Sequence, residues 1–425
     1  MKNFYKLWLG ELISSIGSGM TAFALSVYVY KKTGSVSYVS LITLLSFMPS
    51  IVLSPIGGLL ADRYDRRLLM IIGDLFSGLG LVYILWSIQT GEKSIVPIFV
   101  GITFSSIFTS LLEPSYRATL TDILEEENYA KASGLIQAAG SAKYLISPVI
   151  AGIVLSVADI RVILLLDILT FITTCLMIFL VRKSINSEMK NYKKDSFKGL
   201  LEGLFIIKGN RGVYSLVIIM FFVCFFMGFI QILIRPMILA LSSVKTAGIM
   251  ESLCAVGLLI GSLWIGIAGI KKNYSKILAV ACFFCGIFMS MTGVNENLAI
   301  IGISTFLFFS TLPFMNSCAD VLVRVSIPNE LQGRVWGLIS LITQMGTVAA
   351  YIISGVMADY VFEPMFNKNG ILVENIGIII GTGKGRGIGF MLILSGMGML
   401  IMAIVIWKNR EIREVSEKCV DLKFK

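Results

Sequence analysis

Residues 57–70 read GGLLADRYDRRLLM, from Gly57 to Met70. This basic stretch joins two apolar runs, residues 36–60 and residues 68–89, each long enough to cross about 30 Å of hydrocarbon as a helix. Arginines that flank membrane-length runs are typical of a cytoplasmic loop. The stretch therefore predicts two membrane-spanning helices that are joined on the cytoplasmic side.

The composition of the whole chain extends this prediction. Its 425 residues are 56% hydrophobic and 15% charged, whereas soluble domains are roughly 45–50% apolar and about 25% charged. These values exclude a soluble globule, a coiled coil, collagen and a disordered chain. The chain has no histidine, which removes the usual zinc ligand and every His-based catalytic triad. The sequence predicts no metal site, no cofactor and no disulfide framework.

Apolar runs recur along the chain with short breaks. They predict an all-α integral membrane protein with about twelve spans, at residues 5–30, 36–60, 68–89, 95–118, 130–157, 160–182, 212–240, 246–269, 275–293, 298–320, 331–360 and 386–407. If both termini are cytoplasmic, most of the 36 lysines and arginines fall in cytoplasmic loops, as the positive-inside rule requires. We therefore expect a multi-pass protein of the cell membrane with both ends inside. The net charge of +10 favours the anionic inner leaflet over nucleic acid as its partner.

The two halves of the sequence resemble each other. Gly58 recurs as Gly261 and Gly152 recurs as Gly355, both 203 residues later. Because each half has an even number of spans, both halves have the same orientation, and a substrate is expected to bind between them near the midplane. The predicted parts are a six-helix bundle, a central cytoplasmic loop and a second six-helix bundle with a tail, at residues 1–182, 183–210 and 211–425.

The stretch from Gly57 to Arg67 resembles the loop signature G-x-x-x-D-R-x-G-R-R of the major facilitator superfamily, with Asp65 in place of a glycine. The resemblance implies the major facilitator fold and a cytoplasmic latch, in which Asp62 meets the positive end of the eleventh span and Arg66 holds Asp62 in place. Alternatively, the arginines only anchor the topology. The residues assigned to the latch are Gly58, Asp62, Arg63, Arg66, Arg67 and Arg334.

Two further stretches are similar to the macrolide-efflux and enterobactin-exporter branch of this superfamily. Residues 113–135 read EPSYRATLTDILEEENYAKASGL, where Pro114 is expected to end the fourth span, and residues 327–340 read IPNELQGRVWGLIS. Pro148 and Gly152 match part of an element that is frequent in exporters, and ordinary helix packing explains these two residues equally well. The resemblance implies export.

Ionisable residues inside spans cost about 2.5–3.5 kcal/mol each on insertion scales and so indicate function. Glu11, Glu113 and Lys143 rank highest, because the first and fourth helices of this fold line the cavity and the fifth neighbours the first. Such a carboxylate can carry a proton or a cationic substrate. The alternative is a structural Glu11–Lys143 ion pair. Further candidates for substrate contact or proton coupling are Asn316, the repeat partner of Glu113, and the glutamines Gln137 and Gln344.

The predicted function is export of an amphipathic small molecule by a monomer, through alternating access driven by a proton or sodium gradient. No G-x-x-x-x-G-K-[ST] motif for ATP occurs in the sequence. The first alternative is uptake or proton symport of a metabolite. A lipid-modifying membrane enzyme is the second, and it lacks support because no D-D-x-x-D motif and no histidine is present.

Overall fold

The structure, a computed structural model, is predominantly helical in the part of the chain that it describes. Within that part every regular element is a helix and no strand occurs. The described residues are 2–124, 129–183, 207, 209–270, 272–327, 332–367 and 370–421, without the side chains of Lys2, Pro55, Asp62, Thr121, Asp122, Tyr129, Ala130, Lys131, Ser133, Gly134, Lys183, Gln332, Gly333, Arg334, Lys418, Cys419, Val420 and Asp421.

The helices follow one another with short connections. In chain order they are α1 Lys2–Thr33, α2 Val36–Arg63, α3 Arg66–Gln89, α4 Val96–Thr109, α5 Leu112–Ile123, α6 Tyr129–Leu145, α7 Ser147–Val157, α8 Ile160–Lys183, α9 Arg211–Leu241, α10 Val244–Ala268, α11 Tyr274–Val294, α12 Leu298–Ser326, α13 Gln332–Met357, a π-helix Ala358–Phe362, α14 Glu363–Phe366, α15 Gly377–Ile380, α16 Arg386–Lys408 and α17 Arg410–Asp421.

Twelve helical stretches of the described chain are long and apolar enough to cross a membrane, which confirms the predicted number of spans. Large apolar side chains such as Leu169, Trp264 and Ile401 are exposed on these helices. Exposed apolar side chains suit hydrocarbon, and a helix satisfies its own backbone hydrogen bonds there. The chain is a multi-pass, all-α membrane protein.

Short polar residues start several of the helices by accepting a hydrogen bond from a backbone N–H of the first turn. Such caps satisfy donors that the helix itself leaves unpaired. The capping residues with side-chain bonds of this kind are Ser35, Asp65, Asn210 and Asn297. The sequence therefore sets helix starts by local chemistry as well as by hydropathy.

Two predicted spans are broken helices rather than continuous ones. The fourth is divided between α4 and α5 near Ser110, and the fifth between α6 and α7 at Ile146. Pro114 was expected to end the fourth span, and this expectation is wrong because Pro114 lies in the first turn of α5. A proline fits the first turn of a helix, where its missing N–H costs no hydrogen bond.

The chain divides into two compact units. Unit 1 comprises residues 1–193 with 243–252, and unit 2 comprises residues 194–242 with 253–425. In unit 1, α1 packs against α8 and α6, and α3 packs against α4 and α8. In unit 2, α11 packs against α16 and α12, while α9 packs against α13 and α16. The boundaries predicted at residues 182 and 211 stay a prediction, because most of the segment between them lies outside the described residues.

The segment between the π-helix and α16 is held by a buried arginine and a glutamate. Both carboxylate oxygens of Glu363 accept from the N–H of Gly385 at 3.1 Å, and one accepts from Ile388 N–H at 3.1 Å. Arg386 is fully buried and donates to the carbonyl of Gly293 at 2.5 Å. Glu363 therefore caps α16, whose own N-cap residue Gly385 has no side chain.

Helix α17 packs against the ends of α9, α11 and α12 in unit 2. Ser215 donates to Glu411 at 2.6 Å, and Ser416 Oγ accepts from the backbone N–H of Ser275 at 3.2 Å. Ile412 is fully buried. An amphipathic sequence thus lays its apolar face on this bundle.

Candidate functional site

The loop that carries the resemblance is tied to its surroundings by carbonyl groups and by one ion pair. Arg66 donates from Nε to the carbonyl of Ala61 at 3.1 Å and from Nη1 to the carbonyl of Ala118 at 3.0 Å. Asp65 accepts from the backbone N–H of Arg67 at 3.0 Å and pairs with Arg182 at 2.8 Å. The loop therefore links the end of α2 to α5, and the start of α3 to α8.

Asp65 explains how the turn forms without the glycine of the family signature. Its φ and ψ of −59° and 109° are ordinary for a helix N-cap, and its side chain supplies the cap bond. The family's glycine would form this turn through its flexible backbone, whereas Asp65 stabilises the turn with a side-chain hydrogen bond. The sequence did not reveal its second partner, Arg182, because 117 residues separate the two.

The latch assigned from the sequence is only partly visible. Arg63 is exposed, Arg67 is buried, and a Cβ added at Gly58 would meet no atom within 4 Å. The side chains of Asp62 and Arg334 lie outside the described part of the chain. The latch remains a prediction.

The other candidate residues lie on several helices. Glu113 is exposed, binds Arg117 of its own helix at 2.8 Å, and lies close enough to Glu11 to interact with it electrostatically. Gln137 on α6 is also exposed, whereas Asn316 and Gln344 belong to unit 2, the first exposed and the second half-buried. The structure does not gather these four around one another within either unit.

Contacts inside the two units show that the repeat has no single spacing. A Cβ at Gly57 would meet the carbonyl of Ser110 and the ring of Pro114, and a Cβ at Gly261 would meet the same groups of another serine and proline. Those residues are Ser310 and Pro313. Equivalent contacts thus align Pro313 with Pro114.

This alignment corrects the choice of Asn316 as the counterpart of Glu113. The counterpart of Glu113 is Leu312 if the two prolines are aligned and Pro313 if the two serines are aligned, and a role of Asn316 in substrate contact stays a prediction. Leu312 is buried and apolar. The two serines are 200 residues apart and the two prolines 199, so the spacing of 203 does not hold in this part of the repeat.

Two acids with hydroxyl partners lie on α1 and α8 of unit 1, and one of them, Asp167, has partners on both helices. Asp167 is 1% exposed and accepts from Thr170 Oγ1 at 3.2 Å and from Ser18 Oγ at 3.4 Å. Toward the start of α1, Ser15 donates to Glu11 at 3.4 Å. We call Glu11, Asp167 and their hydroxyl partners the α1–α8 polar cluster.

A glycine permits the close approach of the two helices at this cluster. A Cβ added at Gly17 would lie 2.6 Å from Thr170 Oγ1 and 2.7 Å from Asp167 Oδ1. Real Cβ atoms do not approach polar atoms so closely, since the contact lies inside the van der Waals radii. Gly17 is therefore required for the hydroxyl and carboxylate groups to face α1.

Besides Glu113, two charged residues lie near the cluster. Lys143 on α6 is half-buried and lies close enough to Glu11 and Asp167 to interact with both electrostatically. Asp74 on α3 is 2% exposed, and one of its carboxylate oxygens is buried without a hydrogen-bond partner. Among the described ion pairs, none joins Glu11 to Lys143 within 4 Å.

Pro148 and Gly152, assigned to helix packing, are both buried in α7. A Cβ at Gly152 would lie 3.1 Å from the carbonyl of Val244, and a Cβ at Gly248 would overlap the carbonyl of Pro148. Val244 and Gly248 are in the segment 243–252, which belongs to unit 1. Small residues thus allow α7 and the first turns of α10 to lie in close contact.

No group of three or more Cys, Asp or Glu side chains that could hold a metal ion occurs among the described residues. In unit 2, Tyr351 donates to the side-chain oxygen of Gln231 at 2.5 Å, which joins α13 to α9. Asp167 and Asp74 are not among the residues ranked highest from the sequence, because a single span does not show which of its faces packs against another helix. The cost of an acid inside an apolar run is the only sequence signal for them.

Comparison with known proteins places this geometry in a family. The family model described as Major Facilitator Superfamily matches residues 7–351. Macrolide efflux protein A of Streptococcus pyogenes is 26% identical over 391 residues, which cover 88% of this chain and 94% of that protein. The enterobactin exporter EntS of Shigella flexneri is 26% identical over 153 residues, which cover 36% of this chain and 37% of that protein.

Solved structures show the same fold at low identity. A bacterial homologue of the iron transporter ferroportin, in an inward-facing state, has a TM-score of 0.72 and 12% identity, with 96% of this chain and 98% of that chain covered. The nucleoside transporter NupG has a TM-score of 0.69 and 13% identity, with 96% and 100% covered. The chain belongs to the Major Facilitator Superfamily and is a membrane transporter of small molecules, not an enzyme.

Proposed function

We propose that this transporter exports an amphipathic small molecule from the cell. The observation that carries the proposal is the similarity to macrolide efflux protein A, which extends over 94% of that protein's length. Identity of 26% is too low to transfer a particular compound. The proposal is therefore limited to a chemical class, bulky and largely apolar compounds with a few polar groups.

An ion gradient drives this export, and the α1–α8 polar cluster carries the coupling proton. Ionisable residues inside membrane spans are costly and mark proton relays and ion pathways. Asp167 is buried between two spans and has hydroxyl partners on both of them. The positive charge of Lys143 interacts electrostatically with both Asp167 and Glu11. Sodium is the other candidate ion, and the test below separates the two.

Both termini lie on the cytoplasmic side in this proposal, and the loop at residues 57–70 lies on the same side. The loop ties α2, α3, α5 and α8 together through Arg66 and Asp65. Asp62 and Arg334 act there as a latch during alternating access. Labelling of single cysteines from each side of the membrane in intact cells tests this orientation.

The main experiment measures accumulation of several macrolides and other hydrophobic compounds in a pump-deficient host. Cells with the parent protein are expected to accumulate less compound than cells with an empty vector, and an uncoupler should abolish the difference. Asp167→Asn keeps the hydrogen bonds to Ser18 and Thr170 but loses the charge, so we expect folded protein without gradient-driven export. Glu92→Gln, which removes one exposed acid from a loop of the same unit, is the matched control.

Each alternative has its own result. Higher accumulation with the parent protein than with the empty vector would mean uptake and would overturn export. Export that is sensitive to removal of sodium but not to an uncoupler would show that the coupling ion is sodium and not the proton. Full coupling in Asp167→Asn, with loss of coupling in Glu113→Gln, would indicate that the proton binds at Glu113 on α5 and not in the cluster.

A further inference from the structure

A cleft lies in unit 2 beside the last helix, between the first residues of α11 and the end of α16. Its volume is ≈ 220 Å³, and it is lined by Ser275, Lys276, Ile406, Trp407 and Arg413. The backbone N–H of Ser275 binds Ser416 on α17 at 3.2 Å, so the helix that carries Arg413 is fixed against the start of α11. The cleft is therefore built by three helices that hold one another in place.

Of the described residues that line the cleft, two are positively charged and none is acidic. Lys276 and Arg413 are exposed, and among the described ion pairs neither of them has a partner. Arg413 donates to the carbonyl of Trp407 at 3.0 Å, which keeps its guanidinium at the cleft. The neighbouring acid Glu414 pairs with Arg410 at 2.9 Å. An anion is the complementary ligand.

An apolar groove continues from the cleft along the same two helices. It has a volume of ≈ 260 Å³, shares Trp407 with the cleft, and is lined otherwise by Ala279, Val280, Phe283, Ala403 and Ile404. Every one of these side chains is apolar, and both helices are membrane spans. From residue 276 to residue 283 the groove descends about 10 Å along α11. It therefore leads from the positive cleft into the depth of the hydrocarbon.

We propose that the cleft and the groove together bind one anionic phospholipid, which belongs to the leaflet at whose surface the cleft opens. Lys276 and Arg413 hold its phosphate, the first part of one acyl chain lies in the groove, and Trp407 lies at the level of the headgroup. Tryptophan favours that level, and basic pockets between spans bind anionic headgroups. A soluble anion would leave the groove empty, and a neutral lipid would leave two cations without a partner.

The proposal does not depend on which compound is carried or on the direction of transport. It is tested on the full-length protein in detergent by native mass spectrometry with phosphatidylglycerol, and with phosphatidylcholine for comparison. The double variant Lys276→Gln with Arg413→Gln removes both cations from the cleft. Lys408→Gln with Arg410→Gln removes the same charge from exposed neighbours that do not line it, and serves as the matched control.

The double variant is expected to bind phosphatidylglycerol about 25-fold more weakly, since each basic side chain near the surface contributes roughly fivefold. The control pair should bind it nearly as the parent does, and the parent should prefer phosphatidylglycerol to phosphatidylcholine. Equal losses in the two pairs would show general attraction to a basic surface and would overturn the site. Unchanged binding in the double variant would overturn it as well.

The groove has a separate test. Val280→Trp fills the groove from α11, and Val405→Trp places the same large side chain at an exposed position of α16 outside it. Only Val280→Trp should weaken lipid binding. Equal binding by both variants would contradict a role for the groove. If glycerol 3-phosphate competes at the concentrations at which the lipid binds, the cleft is a site for a soluble anion and the lipid proposal is overturned.

Discussion

Two glycines of α1 face α8, and alanine should have opposite effects at them. A Cβ at Gly10 would lie 3.5 Å from side-chain atoms of Met177 and Thr174, which is ordinary contact. A Cβ at Gly17 would lie 2.6 Å from Thr170 Oγ1. We expect Gly10→Ala to be neutral or stabilising and Gly17→Ala to destabilise unit 1.

The magnitude follows from the difference between the two sites. Both substitutions gain up to about 1 kcal/mol of helix propensity, and this gain cancels when the variants are compared. At Gly17 a neighbouring group must move by roughly 1 Å to reach van der Waals distance. Rotation of Thr170 is not a free escape, because its hydroxyl also donates to the carbonyl of Asp167 at 2.7 Å. Overpacking of this kind costs about 1–3 kcal/mol.

The assay is thermal unfolding of the purified variants in the same detergent. For a folding unit of about 150–250 residues, a difference of 2 kcal/mol corresponds to about 4–8 °C in Tm. Gly17→Ala should also impair export at temperatures where it is folded, because the added methyl group displaces Asp167. Equal Tm values for Gly17→Ala and Gly10→Ala would refute the close approach of α1 and α8 at the cluster.

Three further predictions concern hydrogen bonds at helix starts. Glu363→Ala should cost about 1–2 kcal/mol and speed hydrogen exchange in the first turn of α16, and Glu363→Gln should retain part of the protection. Asp65→Asn should keep the cap of α3 and lose only the pair with Arg182, so its Tm should fall by less than that of Asp65→Ala. Ser416→Ala should leave the buried N–H of Ser275 unpaired. We expect this to lower the free energy of unfolding by about 1–3 kcal/mol and to lower Tm accordingly. In each case a Tm and an exchange rate equal to those of the parent would count against the assigned bond.

The number and the order of the spans could be predicted from the sequence because hydrocarbon imposes one rule on every helix. A run of about 20 apolar residues has few alternatives to a spanning helix. The interruptions near Ser110 and at Ile146 could not be predicted in the same way, since hydropathy does not change where a helix breaks. Pro114 marked the first of these regions, but it begins α5 and does not end a helix.

The candidate site shows where sequence reasoning ends. Glu11 lies inside a span, as its place in an apolar run indicated, and its role stays a prediction. Glu113 had the same sequence signal, yet its carboxylate is exposed and already pairs with Arg117. Which acid faces another helix depends on how the helices are rotated about their axes, and rotation is set by contacts such as that of Gly17 with Asp167.

In each unit the first spanning helix packs against the sixth, and the side chains at this contact differ between the two units. In unit 1 this contact joins α1 to α8, and Gly17 faces the carboxylate of Asp167. In unit 2 it joins α9 to α16, and a Cβ at Gly398 would overlap the aromatic ring of Phe226. The described contact is polar in unit 1 and aromatic in unit 2. A buried carboxylate at the contact of unit 1 supports the proposal that ion coupling belongs to that unit.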